Sequence, residues 1–269
     1  MPTQLFLTSI LNHLFAAPVD RLLALVHVTP EYAQAPITNT LAMELLVFLA
    51  LLAYFVAVRV SLSVEKPGVV QHLAEMTHEF VSNQGEQIIG HGYERFTSYL
   101  TVLLLFILLA NLMGLFSPWL ESPTANVAVP LGLAILTFFY YHFHGLRVNG
   151  FGYIKQFLGP VWWLYWLLFP IEVISHLARV LSLTVRLYAN MFAGDLLTLA
   201  FFSLIPIGVP LLFLGLHLGV ALVQAYVFML LAAIYLSLAV SHEHWSVGWG
   251  EGESQGLKPQ TLCRVECPG

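Results

Sequence analysis

The chain has 269 residues, of which 58% are hydrophobic and only 9% are charged, whereas an ordinary soluble domain has about 25% charged residues. This composition and a mean hydropathy of +0.80 indicate an integral membrane protein. The net charge of −5 comes from charges spread over several loops, which argues against a basic patch for nucleic acid.

Apolar runs recur along the chain and are long enough to cross the membrane core as helices, which takes about 20 residues. They are too long and too uninterrupted for the strands of a β-barrel. We therefore predict an all-α integral membrane fold with about five transmembrane helices. The runs are 39–60, 98–117, 126–142, 162–204 and 207–240.

The first 38 residues precede the first apolar run. The opening of the chain lacks the basic stretch of a signal peptide and carries Asn12 and His13, so we expect it to be retained. We predict an outer N-terminal segment at 1–40, a membrane domain at 41–244 and a flexible tail at 245–269.

Residues 66–93, between the first two runs, are polar but contain apolar positions three or four residues apart. This spacing predicts an amphipathic helix on the inner membrane surface. A plain soluble connector fits the same composition, and both interpretations stay open. The apolar positions are Val69, Leu73, Met76 and Phe80.

The loops alternate in their content of lysine and arginine. The loop 117–125 and the turn at Pro206 contain neither residue, so the positive-inside rule places these two outside. Five crossings then put the N terminus outside and the C terminus in the cytoplasm. The basic residues of the inner loops are Arg59, Lys66, Arg95, Arg147 and Lys155.

The last two apolar runs exceed the length of an upright crossing. As one helix, 162–204 would be about 65 Å long, against a hydrocarbon core of about 30 Å. It must tilt, lie partly in the membrane plane, or break, and Pro170 is the obvious place for a kink because proline removes a helix hydrogen bond. With 207–240 also overlong, we predict a long tilted helical hairpin at 162–240, turning at Pro206.

Polar residues in the run 162–204 recur at steps of 4, 3, 7 and 4, so they fall within an arc of about 120° on a helix. Such a stripe must face protein or water, since lipid cannot satisfy it. Arg186 points most strongly to function, because a permanent charge at the centre of a membrane helix costs at least about 2.5 kcal/mol. His176 and Asn190 fit equally well as hydrogen-bonding partners of a neighbouring helix. The stripe consists of Glu172, His176, Arg179, Arg186 and Asn190.

Asp195 follows Arg186 by nine residues, which is about 180° around a helix, so the two are not expected to form an ion pair. Reflection about Pro206 places Asp195 and His217 at equal depth, each 11 residues from the turn. The same reflection brings Gln224 near the level of Arg186. A carboxylate and an imidazole near the outer side, with arginine and glutamine near the middle, are suited to relaying protons.

Other chemical signatures are weak. Cys263 and Cys267 have no second cysteine pair, so a flexible tail explains them better than a metal site. The sequence contains no His-Glu-x-x-His zinc motif, phosphate-binding loop, dinucleotide fingerprint or nucleophile elbow. We predict no catalytic site, metal or cofactor of its own.

Four segments resemble subunit a of the F-type ATP synthase, the membrane stator subunit that carries the proton path. The resemblance spans roughly residues 43–244 and also implies a long tilted hairpin. The similar segments are RLYANMFAGD at 186–195, QAYVFM at 224–229, YLSLA at 235–239 and NLMGLFSP at 111–118.

The resemblance implies that Arg186 is the essential arginine, which faces a carboxylate on each passing c-ring subunit. It implies that Asp195, where many relatives have glutamate, lines an outer half-channel with His217. Gln224 and Asn190 would lie beside the arginine.

The resemblance further implies that Glu172 belongs to the inner half-channel and that Arg179 occupies a position where a basic residue is common. The implied partners are the c-ring, the peripheral stalk subunit b, membrane lipid and, indirectly, the catalytic F1 sector. The expected location is the bacterial plasma membrane.

One alternative from another class is a stand-alone secondary transporter that uses Arg186 to bind an anionic substrate. Such transporters usually contain internal repeats, and we find no repeat between the two halves of the sequence. An intramembrane protease is a more distant alternative, because no convincing nucleophile and base occur together.

Overall fold

The regular structure of the described residues is helical, which confirms the predicted fold class. Within the described residues, five helices are long and apolar enough to cross a membrane. The computed structural model describes residues 8–9, 38–62, 68–90, 92–116, 121–149, 165–204 and 209–240. The long helices are α1 (Asn39–Ser61), α2 (Val69–Ile89), α3 (Glu94–Met113), α4 (Ala128–Asn149), α5 (Tyr165–Leu204) and α6 (Val209–Val240).

The helix boundaries differ from the apolar runs most clearly in α4, which continues to Asn149 rather than ending at residue 142. His142 and His144 bond through Nδ1 to carbonyl oxygens four residues earlier, at 2.9 and 3.0 Å. The hydrogen-bonding needs of these two side chains are met by their own helix. The helix can therefore extend beyond the apolar run. The second apolar run, 98–117, differs in the opposite direction. Its α-helix ends at Met113, because Gly114–Phe116 forms a 3₁₀ turn.

Local signals explain where several helices begin and end. The Thr38 hydroxyl accepts a hydrogen bond from the Leu41 N–H at 3.3 Å and caps the start of α1. At the end of α2, Gly90 has φ 73° and donates its N–H to the Glu86 carbonyl. Gly92 also has positive φ, at 87°. Glycine adopts this left-handed backbone without steric cost, so the chain turns sharply from α2 into α3.

Helix α6 lies at the centre of the bundle and packs against α2, α3, α4 and α5. Its buried face is rich in alanine, which allows neighbouring helices to approach closely. Phe228, Leu187 and Ile107 fill the space between the helices and are fully buried. The buried alanines of α6 are Ala221, Ala225, Ala232, Ala233 and Ala239.

Helix α5 is continuous through Pro170, so the option of a broken helix is wrong for the part that the structure describes. Its 40 residues span about 60 Å at 1.5 Å per residue. Helix α6 has 32 residues and packs along α5, as the hairpin prediction requires. The turn at Pro206 lies outside the described residues.

Helix α2 confirms the helical interpretation of the segment between the first two spans. Its apolar stripe faces away from the protein, with Val69 exposed by 86% and Met76 by 67%. The other side is held to α6, because Tyr226 donates to Gln84 Oε1 at 3.2 Å and Ser237 donates to the Ile88 carbonyl at 2.7 Å. An apolar stripe left uncovered by protein disfavours a plain soluble connector. Its contact with the membrane surface stays a prediction.

Most of the predicted outer segment 1–40 and all of the predicted tail 245–269 lie outside the described residues.

Candidate functional site

The predicted carboxylate and imidazole pair is present near one end of the hairpin. Asp195 Oδ1 lies 3.9 Å from His217 Nδ1, with the two side chains 21% and 2% exposed. Reflection about the turn therefore placed these residues correctly. The distance is too long for a direct hydrogen bond but accommodates a bridging water. Asp195 Oδ1 and His217 Nε2 are buried and have no hydrogen-bond partner among the described residues, which favours a hydrated site.

Two glycines make room for this pair, and the sequence analysis missed both. A Cβ on Gly194 would lie 3.1 Å from His217 Nδ1, so the imidazole rests directly on the backbone of α5. A Cβ on Gly114 would lie 2.9 Å from Ser122 Cβ and 3.4 Å from Asp195 Oδ1. Glycine inside an apolar helix is a signal of close helix approach, but it does not identify what approaches.

A polar network closes the bundle beside the pair. The Ser122 hydroxyl donates to the Ala110 carbonyl at 3.2 Å and lies 2.7 Å from the Thr124 hydroxyl. Thr124 donates to Asn111 Oδ1 at 2.7 Å, and Asn111 Nδ2 donates to the Ala221 carbonyl at 3.5 Å. These bonds fix the segment after α3 to the end of α3, and the end of α3 to α6, next to Asp195 and His217.

Replacing Gly114 by alanine is expected to destabilise the protein by about 1–3 kcal/mol, as overpacking usually does. Its φ of −61° suits alanine, so the effect comes from the collision with Ser122. The measurement is the melting temperature of the purified protein in detergent. Gly132→Ala is the control, because nothing lies within 4 Å of its added Cβ. Equal melting temperatures for the two variants would contradict the expected collision.

Arg186 lies in the middle of the hairpin and is partly buried. It forms no ion pair with any of the described residues, and its Nε atom is buried without a hydrogen-bond partner among them. One turn further, Asn190 Nδ2 donates to Gln224 Oε1 at 3.0 Å and joins α5 to α6. Gln224 thus contacts α5 one helical turn from Arg186, and its partner there is Asn190. Arg186 therefore presents a charge that the described part of the chain does not neutralise.

Glu172 and His176 form a second polar cluster towards the start of α5. His176 Nε2 lies 3.3 Å from Glu172 Oε1, with side chains 10% and 40% exposed. On its other side, His176 Nδ1 lies 2.9 Å from the Tyr141 hydroxyl of α4. The sequence analysis missed Tyr141, because no periodic signal predicts which helix faces His176.

Arg179 completes this cluster by lying over the ring of Tyr235, with its Cζ atom 5.4 Å from the ring centroid. This cation–π contact partly satisfies the guanidinium. Tyr188 stacks on Phe192 with ring centroids 5.4 Å apart, so aromatic packing accounts for the position of the Tyr188 side chain.

Within the described ranges, no three His, Cys, Asp or Glu side chains are grouped so that they could hold a metal ion.

The chain has extensive similarity to known proteins. The family model described as ATP synthase A chain matches residues 40–237. ATP synthase subunit a of Koribacter versatilis (strain Ellin345) is 58% identical over 245 residues, covering 91% of this chain and 100% of that relative. Subunit a of Solibacter usitatus (strain Ellin6076) is 42% identical over 87% of this chain and 99% of its own length.

A third relative, ATP synthase subunit a of Trichlorobacter lovleyi (strain ATCC BAA-1151 / DSM 17278 / SZ), is 37% identical over 82% of this chain and 93% of its own length. The family match includes both polar clusters and the arginine between them. The chain is therefore a member of the ATP synthase subunit a family.

Proposed function

We propose that the chain is the proton-conducting, non-catalytic subunit in the membrane sector of a rotary ATP synthase. Two half-channels would reach the middle of the membrane from opposite sides and be separated by Arg186. The observation that carries the proposal is the arrangement along α5, where an arginine without an ion pair among the described residues lies between two ionisable clusters. Membership of the ATP synthase subunit a family supports a place in the membrane sector of an ATP synthase.

A fixed cation gives this arrangement its chemistry. Arg186 favours the deprotonated form of a nearby carboxylate, so an acid on a passing c-ring subunit releases its proton as it approaches. The same charge raises the barrier for a proton that would pass directly between the half-channels. Proton flow is then coupled to rotation of the ring, and each proton delivers about 2.3 kcal/mol per 100 mV of membrane potential.

The surface of α5 around Arg186 suits a neighbouring ring of helices. Ser182, Ala189 and Ala193 are exposed and share a helical face with Arg186, at spacings of three or four residues. Small residues let another helix approach the backbone closely. A carboxylate on such a helix would then reach the arginine without lipid between them.

The outer half-channel would contain Asp195 and His217, with Gln224 and Asn190 beside the arginine. The inner half-channel would contain Glu172, with His176 and Arg179 next to it. The positive-inside rule gives this orientation, with the N terminus outside and the C terminus in the cytoplasm of a bacterial cell. The proposed partners are the c-ring, peripheral stalk subunit b and, through them, the catalytic F1 sector.

Purification from membranes in a mild detergent tests the assembly. We expect the chain to co-isolate with a c-ring and a catalytic head, and the complex to pump protons on ATP addition after reconstitution into vesicles. The sodium dependence of pumping identifies the coupling ion. Pumping that occurs in sodium-free buffer, at a rate that added sodium does not increase, would support protons. An isolated monomer or dimer that binds a small anion would instead support the secondary transporter.

A further inference from the structure

We propose that Tyr141 and His176 form a proton relay in the inner half-channel, linking Glu172 to a small, partly open cavity between α4, α5 and α6. This inference rests on the proposed function. It assigns a transport role to Tyr141 and gives His176 a specific task beyond hydrogen bonding between helices.

The first observation is an uninterrupted row of polar atoms. Glu172 Oε1 lies 3.3 Å from His176 Nε2, and His176 Nδ1 lies 2.9 Å from the Tyr141 hydroxyl. Both ring nitrogens of one imidazole thus have a partner that can exchange a proton, as a relay requires. Exposure falls along the row, because the Glu172 side chain is 40% exposed whereas Tyr141 is 3% exposed. The row therefore leads from the surface into the bundle.

The second observation is the cavity of about 10 Å³ at the buried end of this row. This volume is close to what one water molecule needs. Four of its lining residues carry polar side-chain groups, namely Tyr141, Thr137, Arg179 and Tyr235. Leu183 also lines it and precedes Arg186 by less than one helical turn. The cavity is thus on the Arg186 side of Glu172.

Charged and titratable groups from each helix face the relay. His142 of α4 packs edge-on against His176 with ring centroids 4.9 Å apart, and its Nδ1 is bonded to the Phe138 carbonyl. Arg179 of α5 lies over Tyr235 of α6. Each ring nitrogen of His176 has one partner, and the relay passes protons through neutral imidazole.

A proton leaving towards the cytoplasm passes along the row by successive transfers. A protonated cavity water gives a proton to the Tyr141 oxygen while the Tyr141 hydroxyl proton moves to His176 Nδ1. The proton on His176 Nε2 moves to the Glu172 carboxylate, which then releases it to solvent. Tyr141 and His176 end neutral, and the imidazole has changed from the Nε2–H to the Nδ1–H tautomer. Rotation of the ring, which turns the Nδ1–H towards Glu172 and the bare Nε2 towards Tyr141, then readies the imidazole for the next proton.

The test uses the whole complex in proteoliposomes and two variants. Tyr141→Phe keeps the ring and removes the hydroxyl, and His176→Gln keeps a hydrogen-bonding side chain that cannot relay a proton. We measure ATP-driven pumping and, after removal of the catalytic sector, passive proton conduction at a fixed membrane potential. Both rates are expected to fall about 100-fold in each variant, at the lower end of the range for lost proton-transfer groups.

Tyr140→Phe is the matched control, because the Tyr140 ring stacks on Tyr99 with centroids 3.8 Å apart and lies outside the relay. Its rates should equal those of the unsubstituted complex. If His176 only joined α5 to α4 through its bond to Tyr141, His176→Gln would conduct normally, and that result would overturn the relay. Normal conduction by Tyr141→Phe would overturn it as well. Co-isolation with the c-ring checks assembly, and if Tyr141→Phe does not assemble, His176→Gln decides.

The outcomes separate the relay from the proposed function. An unsubstituted complex that pumps, combined with full conduction in both relay variants, overturns the relay alone. An unsubstituted chain that never co-isolates with a c-ring, or never conducts protons, overturns the proposed function itself.

Discussion

Replacing Arg186 by alanine is expected to abolish ATP-driven proton pumping while the membrane sector still assembles. The guanidinium forms no ion pair among the described residues, and only part of it is buried, so its loss leaves no buried carboxylate of this subunit uncompensated. What disappears is the charge that makes a ring carboxylate give up its proton and that blocks direct passage between the half-channels. Passive proton leak should therefore persist or increase as pumping is lost.

The measurement compares ATP-driven acidification of vesicles with passive conduction in the same preparation. Arg147→Ala is a suitable control, because Arg147 is an exposed arginine in the last turn of α4, away from the hairpin's polar clusters. Its pumping should match that of the unsubstituted complex. Full pumping by an assembled Arg186→Ala complex would refute the separating role of the arginine.

Replacing Asp195 by asparagine is expected to slow proton flux about 100-fold, in line with the loss of a group that gains and releases protons. Asparagine preserves the shape of the side chain beside His217, so the 3.9 Å contact can remain while the titrating group is lost. Asp195→Glu is the conservative partner of this variant. It restores a carboxylate with one more methylene and should conduct at a rate near that of aspartate.

Flux through the Asp195 variants can be followed by passive conduction, which does not depend on the catalytic sector. Equal rates for asparagine and aspartate at this position would show that the carboxylate does not carry the proton. Slow flux in Asp195→Glu as well would assign the effect of glutamate to the tight space formed by Gly114 and Gly194, because asparagine leaves that space unchanged. The pair of variants therefore separates proton transfer from steric fit.

The hairpin contacts could be predicted because a helix advances by a constant rise per residue. Equal distances from Pro206 were enough to match Asp195 with His217, and helical angle was enough to separate Asp195 from Arg186. Hydropathy predicted the end of one helix wrongly. Helix α4 runs on to Asn149 because its histidines bond to their own backbone.

Tertiary contacts between non-consecutive helices were beyond the reach of the sequence. Tyr141 binds His176 across 35 positions of the chain. The residue periodicity of α4 and α5 does not indicate that these two helices meet at those side chains. The role of Gly114 was hidden for the same reason, since it depends on Ser122 and Asp195 arriving from two different segments. Such residues are selected by shape and proximity, which periodicity does not encode.

The attachment of α2 to α6 has a mechanical consequence. A rotor that turns against α5 would push the hairpin sideways in the plane of the membrane, where lipid offers little resistance. Helix α6 backs α5 along its length, and its hydroxyls at Tyr226 and Ser237 are tied to Gln84 and Ile88 of α2. Under the proposed function, helix α2 would act as a brace that spreads the reaction to torque over a second helix.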